Sequence, residues 1–288
     1  MTTLRAGCIL AVFILVTLAL LPLQWVAVRL RLPARRRIPH RYHRFVCRLF
    51  GVHISAIGAP VGESVLMAAN HTSWLDIPIL SALAPVSFVA KSEVGGWPFF
   101  GTLARAQRTI FIHRERAHAR QDRDNIRKRL LDGDTLVLFP EGTSSDGNRV
   151  LAFRSALLSA AELELGEDRA HHPRHAPVQP VSIAYAGLHG IPMGRENRPF
   201  FAWYGDMELV PHLWESLRMG PIDVVVEFHK PTTIDEVGGR KALAAYCEAA
   251  ARAGLIRALT GSHVEPASAQ HDEALIEALG DADSEEAA

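Results

Sequence analysis

The chain of 288 residues is poor in cysteine and lacks three short motifs that mark common reaction types. Its three cysteines, Cys8, Cys47 and Cys247, are too few and too scattered for a disulfide framework or a cysteine-rich zinc site. It has no Gly-x-Ser-x-Gly elbow, no Gly-Lys-Ser/Thr phosphate loop and no His-Glu-x-x-His pair. Hydrolases with that serine elbow, P-loop nucleotide-binding proteins and zinc proteases of that type therefore lack their core residues here.

Net charge is absent too, because 31 Lys and Arg residues balance 31 Asp and Glu residues. The balance hides an uneven distribution. Residues 1–50 contain nine arginines and no acidic residue, whereas residues 259–288 contain eight acidic residues and no Lys or Arg. The hydrophobic content of 48% excludes a disordered protein and is sufficient for one globular domain or a small two-part chain. We expect no nucleic-acid partner.

A long uncharged run, Ala6–Val28, lies between Arg5 and Arg29. As an α-helix its 23 residues would extend about 34 Å, which is enough to cross a bilayer. A cleaved signal peptide is the alternative, but the run ends in Trp25 and arginines and has no small-residue cleavage site. Pro22 allows a kink, or a re-entrant or monotopic anchor. One arginine precedes the run and eight follow it, so the positive-inside rule places the body on the cytoplasmic side, at the inner membrane if the source is bacterial.

The distribution of charge and hydropathy divides the chain into four parts. Residues 1–30 are predicted to be a membrane anchor, and residues 31–50 a basic juxtamembrane segment whose arginines would each add about 1 kcal/mol of attraction to anionic lipid. Residues 51–258 are predicted to form the globular domain. Residues 259–288 are predicted to be an acidic, mobile tail, because they are rich in Ala, Asp and Glu.

In the globular domain, short β-branched runs alternate with amphipathic stretches, which favours an α/β fold. We expect a mixed, largely parallel central sheet flanked by helices, with the anchor helix at the N-terminus. The predicted strands are Ser64–Ala69, Ser87–Ala90, Thr109–Ile112, Thr135–Phe139, Val178–Tyr185, Phe200–Gly205 and Asp223–His229. The predicted helices are Trp74–Leu83, Pro98–Ala106, Ala117–Leu131, Phe153–Leu163 and Lys241–Leu259.

The segment Asn70–Asp76 joins a predicted strand to a predicted helix and contains a histidine and an aspartate five residues apart. Asp76 would reach one imidazole nitrogen of His71 and leave the other as a general base. The structural alternative is that Ser73 and Asp76 form a helix capping box.

Three further segments lie next to predicted strands. Phe139–Thr143 reads Phe-Pro-Glu-Gly-Thr and follows an apolar strand, so we expect it at a strand's carboxyl end, where ligands bind in open α/β sheets. Thr109–Arg114 ends in an arginine just past another strand. Pro177–Val181 opens the next strand with prolines, which would limit pairing there.

In order and spacing these segments resemble the glycerolipid acyltransferase family, the lysophosphatidate acyltransferase group. The family's histidine–four residues–aspartate signature corresponds to His71–Asp76. Its second, third and fourth blocks resemble Ile110–Arg114, Phe139–Thr143 and Val178–Val181. The resemblance covers about residues 45–255, and four ordered blocks are far more specific than any one of them. It implies that residues 51–258 are an acyltransferase domain.

The resemblance implies transfer of a fatty acyl group from an acyl carrier protein or coenzyme A thioester to a lysolipid hydroxyl, without metal or other cofactor. The implied partners are this acceptor, the thioester donor and membrane lipid. His71 would be the general base and Asp76 its orienting carboxylate. The implied substrate-binding residues surround this pair in the sequence: Arg108, Arg114, Glu141, Gly142, Thr143 and Arg154.

Two departures from the family pattern leave the acceptor open. Ser144 stands where many lysophosphatidate acyltransferases have arginine, and Arg108 stands where the second block usually has glycine. A phosphate monoester would be held by arginines, so lysophosphatidate is the first expectation. A zwitterionic acceptor would need less positive charge and could use Asp146, as in the lyso-ornithine lipid acyltransferase branch. A thioesterase and a non-catalytic lipid-binding protein are more remote alternatives.

Overall fold

The computed structural model describes residues 2–113, 118–167 and 173–261. The predicted acidic tail lies outside the described residues except for its first three positions. Ten strands are described: β1 Val52–Ile57, β2 Leu66–Ala69, β3 Val86–Lys91, β4 Ile110–Ile112, β5 Thr135–Leu138, β6 Glu164–Glu167, β7 Pro173–His175, β8 Val178–Leu188, β9 Ile191–Pro192 and β10 Ile222–Phe228. The described α-helices are α1 Thr2–Arg29, α2 Ala34–Phe50, α3 Asp76–Leu83, α4 Phe100–Ala106, α5 Ala119–Leu131, α6 Leu209–Met219, α7 Ile234–Val237 and α8 Arg240–Thr260.

The central sheet confirms the predicted mixed, largely parallel architecture. Its strand order is β1-β10-β8-β2-β5-β3-β4, and β9 pairs with β8. Strands β8, β2, β5, β3 and β4 are parallel, whereas β10 is antiparallel to β8. We call the side of the sheet where β2, β3, β4 and β5 end the carboxyl edge, and the side where they begin the amino edge.

Both faces of the sheet are covered, which explains the continuous apolar sequence of the central strands. Every residue of β2 and β5 is buried, as expected for parallel strands between two helical layers. Met67 and Ala69 of β2 pack in a core shared with α1, α2, α3 and α6. Leu66 and Ala68 pack on the opposite face in a core shared with α5 and α8. Helices therefore flank the sheet on both sides.

The N-terminal helix α1 packs along the body instead of standing apart from it. It continues through Pro22 to Arg29. One face is buried from Ala6 to Ala27, and the Nε2 atom of Gln24 donates to the carbonyl oxygens of Arg35 and Ala106 at 3.0 and 2.7 Å. The other face exposes large apolar side chains, among them Leu15, Leu18, Leu23 and Trp25. The helix is long and apolar enough to cross a membrane by length and composition.

Some local predictions differ from the structure. The predicted strand Phe200–Gly205 is wrong: Arg198–Phe200 is a short 3-10 helix, and the following loop bonds through the Trp203 N–H group to the Thr72 carbonyl oxygen at 2.9 Å. The predicted helix Phe153–Leu163 is instead a 3-10 helix over Ser155–Glu162. The basic segment forms α2, and the sequence analysis also missed β1 and α6.

Candidate active site

The carboxyl ends of β2 and β5 bring two sequence-predicted residues together. β2 ends at Ala69, two residues before His71, and its parallel neighbour β5 ends at Leu138, three residues before Glu141. The loop after Glu141 is tied to the first loop, because the Ser145 N–H group donates to the His71 carbonyl oxygen at 2.8 Å. The predicted position of both segments at this edge agrees with the structure.

His71 and Asp76 form the expected pair. The Nδ1 atom of His71 lies 2.8 Å from Oδ2 of Asp76, and the side chains are 19% and 0% exposed. A carboxylate only accepts hydrogen bonds, so Nδ1 carries the proton and Nε2 of the neutral ring is left as a proton acceptor. The histidine is accessible while its carboxylate partner is shielded from water.

Asp76 also stabilises the turn that presents His71. Its Oδ2 atom accepts from the N–H groups of Thr72 and Ser73 at 2.7 and 3.0 Å. These bonds satisfy backbone donors in the loop before α3. The helix itself begins at Asp76, with Leu75 as its N-cap and no side-chain capping bond, so the predicted capping box is not formed. Asp76 therefore stabilises the loop and pairs with His71 at the same time.

Three residues that sequence reasoning missed support this pair. The Tyr185 hydroxyl donates to Asp76 Oδ1 at 2.7 Å. Asn70 bonds to both backbone groups of Ile183, with its Nδ2 3.0 Å from the carbonyl oxygen and its Oδ1 2.7 Å from the nitrogen. The Phe139 ring stacks on the His71 imidazole, with ring centroids 4.0 Å apart. Phe139 and Asn70 belong to the quoted motifs, whereas no local signal links Tyr185 to Asp76, 109 residues away.

Glu141 is a buried carboxyl group with no hydrogen-bond partner of ordinary geometry among the described residues. It is 1% exposed. Its pKa is raised to about 8, mainly by burial and also by the negative charges of Asp76 and Glu248, against the opposing effect of nearby backbone N–H groups. At neutral pH the group is therefore mostly protonated and can donate a hydrogen bond.

Gly142, Thr143 and Arg154 lie beside Glu141. Gly142 has a φ of +71°, and a Cβ atom there would meet the Arg154 Cζ and Nε atoms at 3.5 Å. Glycine is favoured at this position because an L side chain rarely adopts this backbone conformation. Thr143 and Arg154 are exposed, and the Arg154 N–H group donates to the Pro140 carbonyl oxygen at 2.9 Å.

The remaining two predicted residues are not part of this arrangement. Arg114 lies outside the described residues. Arg108 precedes β4 and therefore lies at the amino edge, opposite His71. Its position does not support the expected contact with an acceptor head group.

Arg108 belongs instead to a buried ion cluster around Asp134. The Arg108 NH1 atom lies 3.0 Å from both Asp134 oxygens, Arg36 Nε lies 2.8 Å from Oδ1, and Arg129 Nε also donates to Asp134. Burial alone would raise the pKa of Asp134, but the charges and hydrogen bonds of Arg108 and Arg129 outweigh burial and hold it below its ordinary value. Burial lowers the pKa of Arg108 to about 10, so it remains charged at neutral pH.

An apolar cavity of about 230 Å³ lies between the helical layer and β3. Helices α1, α2, α3, α4 and α6 contribute to its wall, together with Trp74, Phe88 and Trp97. The Phe88 ring stacks on Phe139 with centroids 6.3 Å apart, and Phe139 in turn contacts His71. An apolar cavity separated by stacked rings from the polar His71–Asp76 pair has the chemistry to hold an alkyl chain whose polar end faces that pair.

Comparison with known proteins agrees with this geometry. Residues 52–184 match the family model described as Acyltransferase. The chain is 45% identical to the lyso-ornithine lipid O-acyltransferase of Brucella abortus over 92% of this chain and 99% of that protein. It is 43% identical to the lyso-ornithine lipid O-acyltransferase of Rhizobium meliloti over 79% and 78% of the two chains.

Relatives with the other acceptor are less similar. The 1-acyl-sn-glycerol-3-phosphate acyltransferase of Neisseria gonorrhoeae is 34% identical over 60% of this chain and 63% of that protein. The crystal structure of the 1-acyl-sn-glycerophosphate (LPA) acyltransferase PlsC from Thermotoga maritima aligns with a TM-score of 0.61 at 22% identity, covering 89% of this chain and 97% of that one. This likeness supports the fold.

The comparisons therefore favour lyso-ornithine lipid, the alternative acceptor of the sequence analysis, over lysophosphatidate, its first expectation. The resemblance to the acyltransferase family is itself confirmed by a relative 45% identical along 99% of its length. This chain belongs to the acyltransferase family, in the group that contains lyso-ornithine lipid O-acyltransferases and 1-acyl-sn-glycerol-3-phosphate acyltransferases.

Proposed function

We propose that this chain transfers a fatty acyl group from an acyl thioester to the hydroxyl group of lyso-ornithine lipid. The observation that carries the choice of acceptor is the similarity along nearly the whole length of a lyso-ornithine lipid O-acyltransferase. The donor is a thioester of acyl carrier protein or coenzyme A, as the family resemblance implies.

His71 acts as the general base in this reaction. Its Nε2 atom takes the proton of the acceptor hydroxyl as the oxygen attacks the thioester carbonyl carbon. The tetrahedral intermediate then collapses, the carbon–sulfur bond breaks, and the leaving thiolate takes the proton from His71. Asp76 stabilises the imidazolium that exists between these proton transfers. General base catalysis of this kind contributes about 10²–10⁴-fold to rate.

Glu141 acts in its protonated form. Its pKa of about 8 keeps it mostly neutral at pH 7, so it donates a hydrogen bond to the acceptor next to the hydroxyl that reacts. A neutral acid can be buried beside Asp76 without adding a second negative charge to the site.

The head-group site has mixed charge, which suits a zwitterion. An ornithine head group joined through its α-amino group carries one carboxylate and one ammonium group, whereas a phosphate monoester carries about −1.5 to −2 charges. Arg154 would bind the carboxylate and Asp146 the ammonium. The Asp146 side chain is 27% exposed, and the Nε atom of Arg149 lies 4.0 Å from its Oδ1 atom. Ser144 stands where an arginine would favour binding of a phosphate. Arg114 remains a proposed head-group contact.

Membrane attachment through α1 is part of the same proposal. The exposed apolar face of this helix and the arginines that follow it support an anchor with the catalytic domain on the cytoplasmic side. Sedimentation with membrane after alkaline carbonate extraction is the expected result, and recovery in the soluble fraction would contradict the anchor.

The decisive experiment is an acceptor panel with the purified full-length protein in phospholipid vesicles. Lyso-ornithine lipid, lysophosphatidate and lysophosphatidylcholine are compared with acyl-carrier-protein and coenzyme A donors. We expect the highest kcat/KM with lyso-ornithine lipid, and a preference for lysophosphatidate would overturn the proposed acceptor. Thioester hydrolysis without any acceptor would indicate a thioesterase, and binding without turnover a lipid-binding protein.

The same assay tests the general base. His71→Ala is expected to lower kcat by about 10²–10⁴-fold. The matched control is His53→Ala, because His53 also pairs with a carboxylate, Asp223, at 3.1 Å, but on the exposed edge strand β1. Equal turnover in the two variants would disprove the role of His71.

A further inference from the structure

Tyr185 is a fully buried tyrosine whose hydroxyl group reaches the reactive pair from a neighbouring strand. It is 1% exposed, lies in β8, and donates to Asp76 Oδ1 at 2.7 Å. We propose that Tyr185 is a positioning residue that fixes the Asp76 carboxylate and tunes how strongly His71 holds a proton. This inference rests on the proposed role of His71 as general base.

The contact completes the hydrogen bonding of a carboxylate that has no access to water. Asp76 is 0% exposed. Its Oδ2 atom accepts from His71, Thr72 and Ser73, all within the same short loop. Oδ1 has Tyr185 as its hydrogen-bond donor among the described residues. Loss of that donor would leave a buried charged oxygen unsatisfied, which is costly in a low-dielectric interior.

The geometry also restricts rotation of the carboxylate. One oxygen is held by the loop that carries His71, and the other is held by a different element, β8. The same strand holds the chain just before His71, because Asn70 bonds to both backbone groups of Ile183. Ile183 and Tyr185 are two residues apart and so face the same side of the strand. Strand β8 thus supports both members of the pair.

The electrostatic effect has a definite direction. A phenol that donates to the carboxylate spreads and stabilises its negative charge, which weakens the attraction of Asp76 for a proton on His71. Without the phenol, the full negative charge of Asp76 Oδ1 would strengthen the hold of the carboxylate on the imidazolium. Burial and the charge of Asp76 raise the pKa of Tyr185 well above its ordinary value, so the phenol stays a donor throughout the physiological range.

The test compares two single-atom deletions at buried tyrosines in the full-length protein. Tyr185→Phe removes the hydroxyl that reaches Asp76. Tyr246→Phe removes a similarly buried hydroxyl, which donates to the Lys230 carbonyl oxygen at 3.1 Å in the other core. We expect Tyr185→Phe to lower kcat by roughly tenfold, with both KM values within about twofold. The acidic limb of its kcat/KM profile should move to higher pH by about half a unit to one unit.

The control variant should keep both kcat and the acidic limb of the wild type. A Tyr185→Phe profile that coincides with that of Tyr246→Phe would disprove the positioning role while leaving the general base untouched. His71→Ala is measured alongside, and wild-type turnover in that variant would overturn the proposed function and this inference together.

A second variant keeps the test decisive if Tyr185→Phe is poorly folded. 3-Fluorotyrosine at position 185 keeps the hydroxyl and nearly the same volume but is a stronger donor. It should move the acidic limb to lower pH, which is the direction opposite to the phenylalanine variant. A shift of the limb to higher pH, or no shift, would overturn the inference.

Discussion

At the amino edge of the sheet, Asp134 is surrounded by three arginines, whereas at the carboxyl edge Glu141 has no partner of ordinary geometry among the described residues. Both carboxyl groups are buried, yet the pKa of Asp134 is lowered and that of Glu141 is raised. The two edges belong to the same strands and differ by only a few residues along the chain.

Under the proposed function, this difference separates stability from reactivity within one sheet. At the amino edge the buried carboxylate of Asp134 is paired with arginines, which connect α2, α5 and the strands into one unit. At the carboxyl edge a carboxylate is satisfied mainly by neutral donors, and a second acid is kept protonated. Buried polar groups with incomplete hydrogen bonding or ion pairing are expected at functional sites, and their cost is compensated elsewhere in the fold.

The largest expected effect comes from removing the centre of the amino-edge cluster. Asp134→Ala leaves Arg36, Arg108 and Arg129 without their shared counter-charge, so the free energy of unfolding should fall by about 3–5 kcal/mol. Chemical denaturation measures this, and kcat per folded molecule should be unchanged. Asp132→Ala, an exposed carboxylate two residues away, is the control and should cost less than about 0.5 kcal/mol. Equal losses in the two variants would contradict the comparison.

A smaller effect is expected at the carboxyl edge, where a substitution should raise the free energy of unfolding relative to wild type at the higher pH. Between pH 5 and 8 the unfolded state ionises Glu141 while the folded state keeps it protonated, so this group's contribution to stability is present at low pH and is lost as pH rises towards about 8. Glu141→Gln has no ionisation to suppress. Its stability relative to wild type should therefore increase by roughly 1–3 kcal/mol between pH 5 and 8.

Thermal unfolding at several pH values checks this prediction, with Glu164→Gln as a control at an exposed carboxylate. Parallel pH dependences of wild type and Glu141→Gln would show that Glu141 ionises normally in the folded protein. Glu141→Gln should also lower the activity, so the variant is expected to lose activity even at the pH values where it is more stable than wild type.

The smallest expected effect distinguishes the arginines of the two edges. Arg154 is exposed beside Gly142, so Arg154→Ala should raise KM for the lysolipid by about three- to tenfold with little change in unfolding temperature. Arg108→Ala should lower the unfolding temperature and leave that KM within about twofold. A raised KM for Arg108→Ala, with a lowered unfolding temperature for Arg154→Ala, would instead support a role of Arg108 in binding the head group.

The successes of sequence reasoning depended on short distances along the chain. His71 and Asp76 are five residues apart around one turn, and Glu141 follows a strand whose apolar sequence is unmistakable. Their placement at one edge followed from parallel pairing. Tyr185 could not be found in this way, because its contact with Asp76 depends on the pairing of β8 with β2.

The expectation for Arg108 shows how a few residues change an interpretation. Arg108 and Arg114 lie in the same sequence block, so both were assigned to the head group. Strand β4, which follows Arg108, has three residues and extends roughly 10 Å, so it separates Arg108 from the carboxyl edge of the sheet. A sequence motif gives the order of its residues, but the direction of the strand decides at which edge of the sheet each residue lies.

Helix α1 is both the apolar N-terminal segment and one wall of the apolar cavity, to which it contributes Phe13, Thr17 and Leu20. Deleting residues 1–30 to obtain a soluble protein would therefore open that cavity to water and expose the core face against which the helix packs. The segment that the sequence presents as a detachable anchor is therefore part of the wall of the apolar cavity. Detergent or nanodiscs around the intact chain are consequently the appropriate starting material for every assay described above.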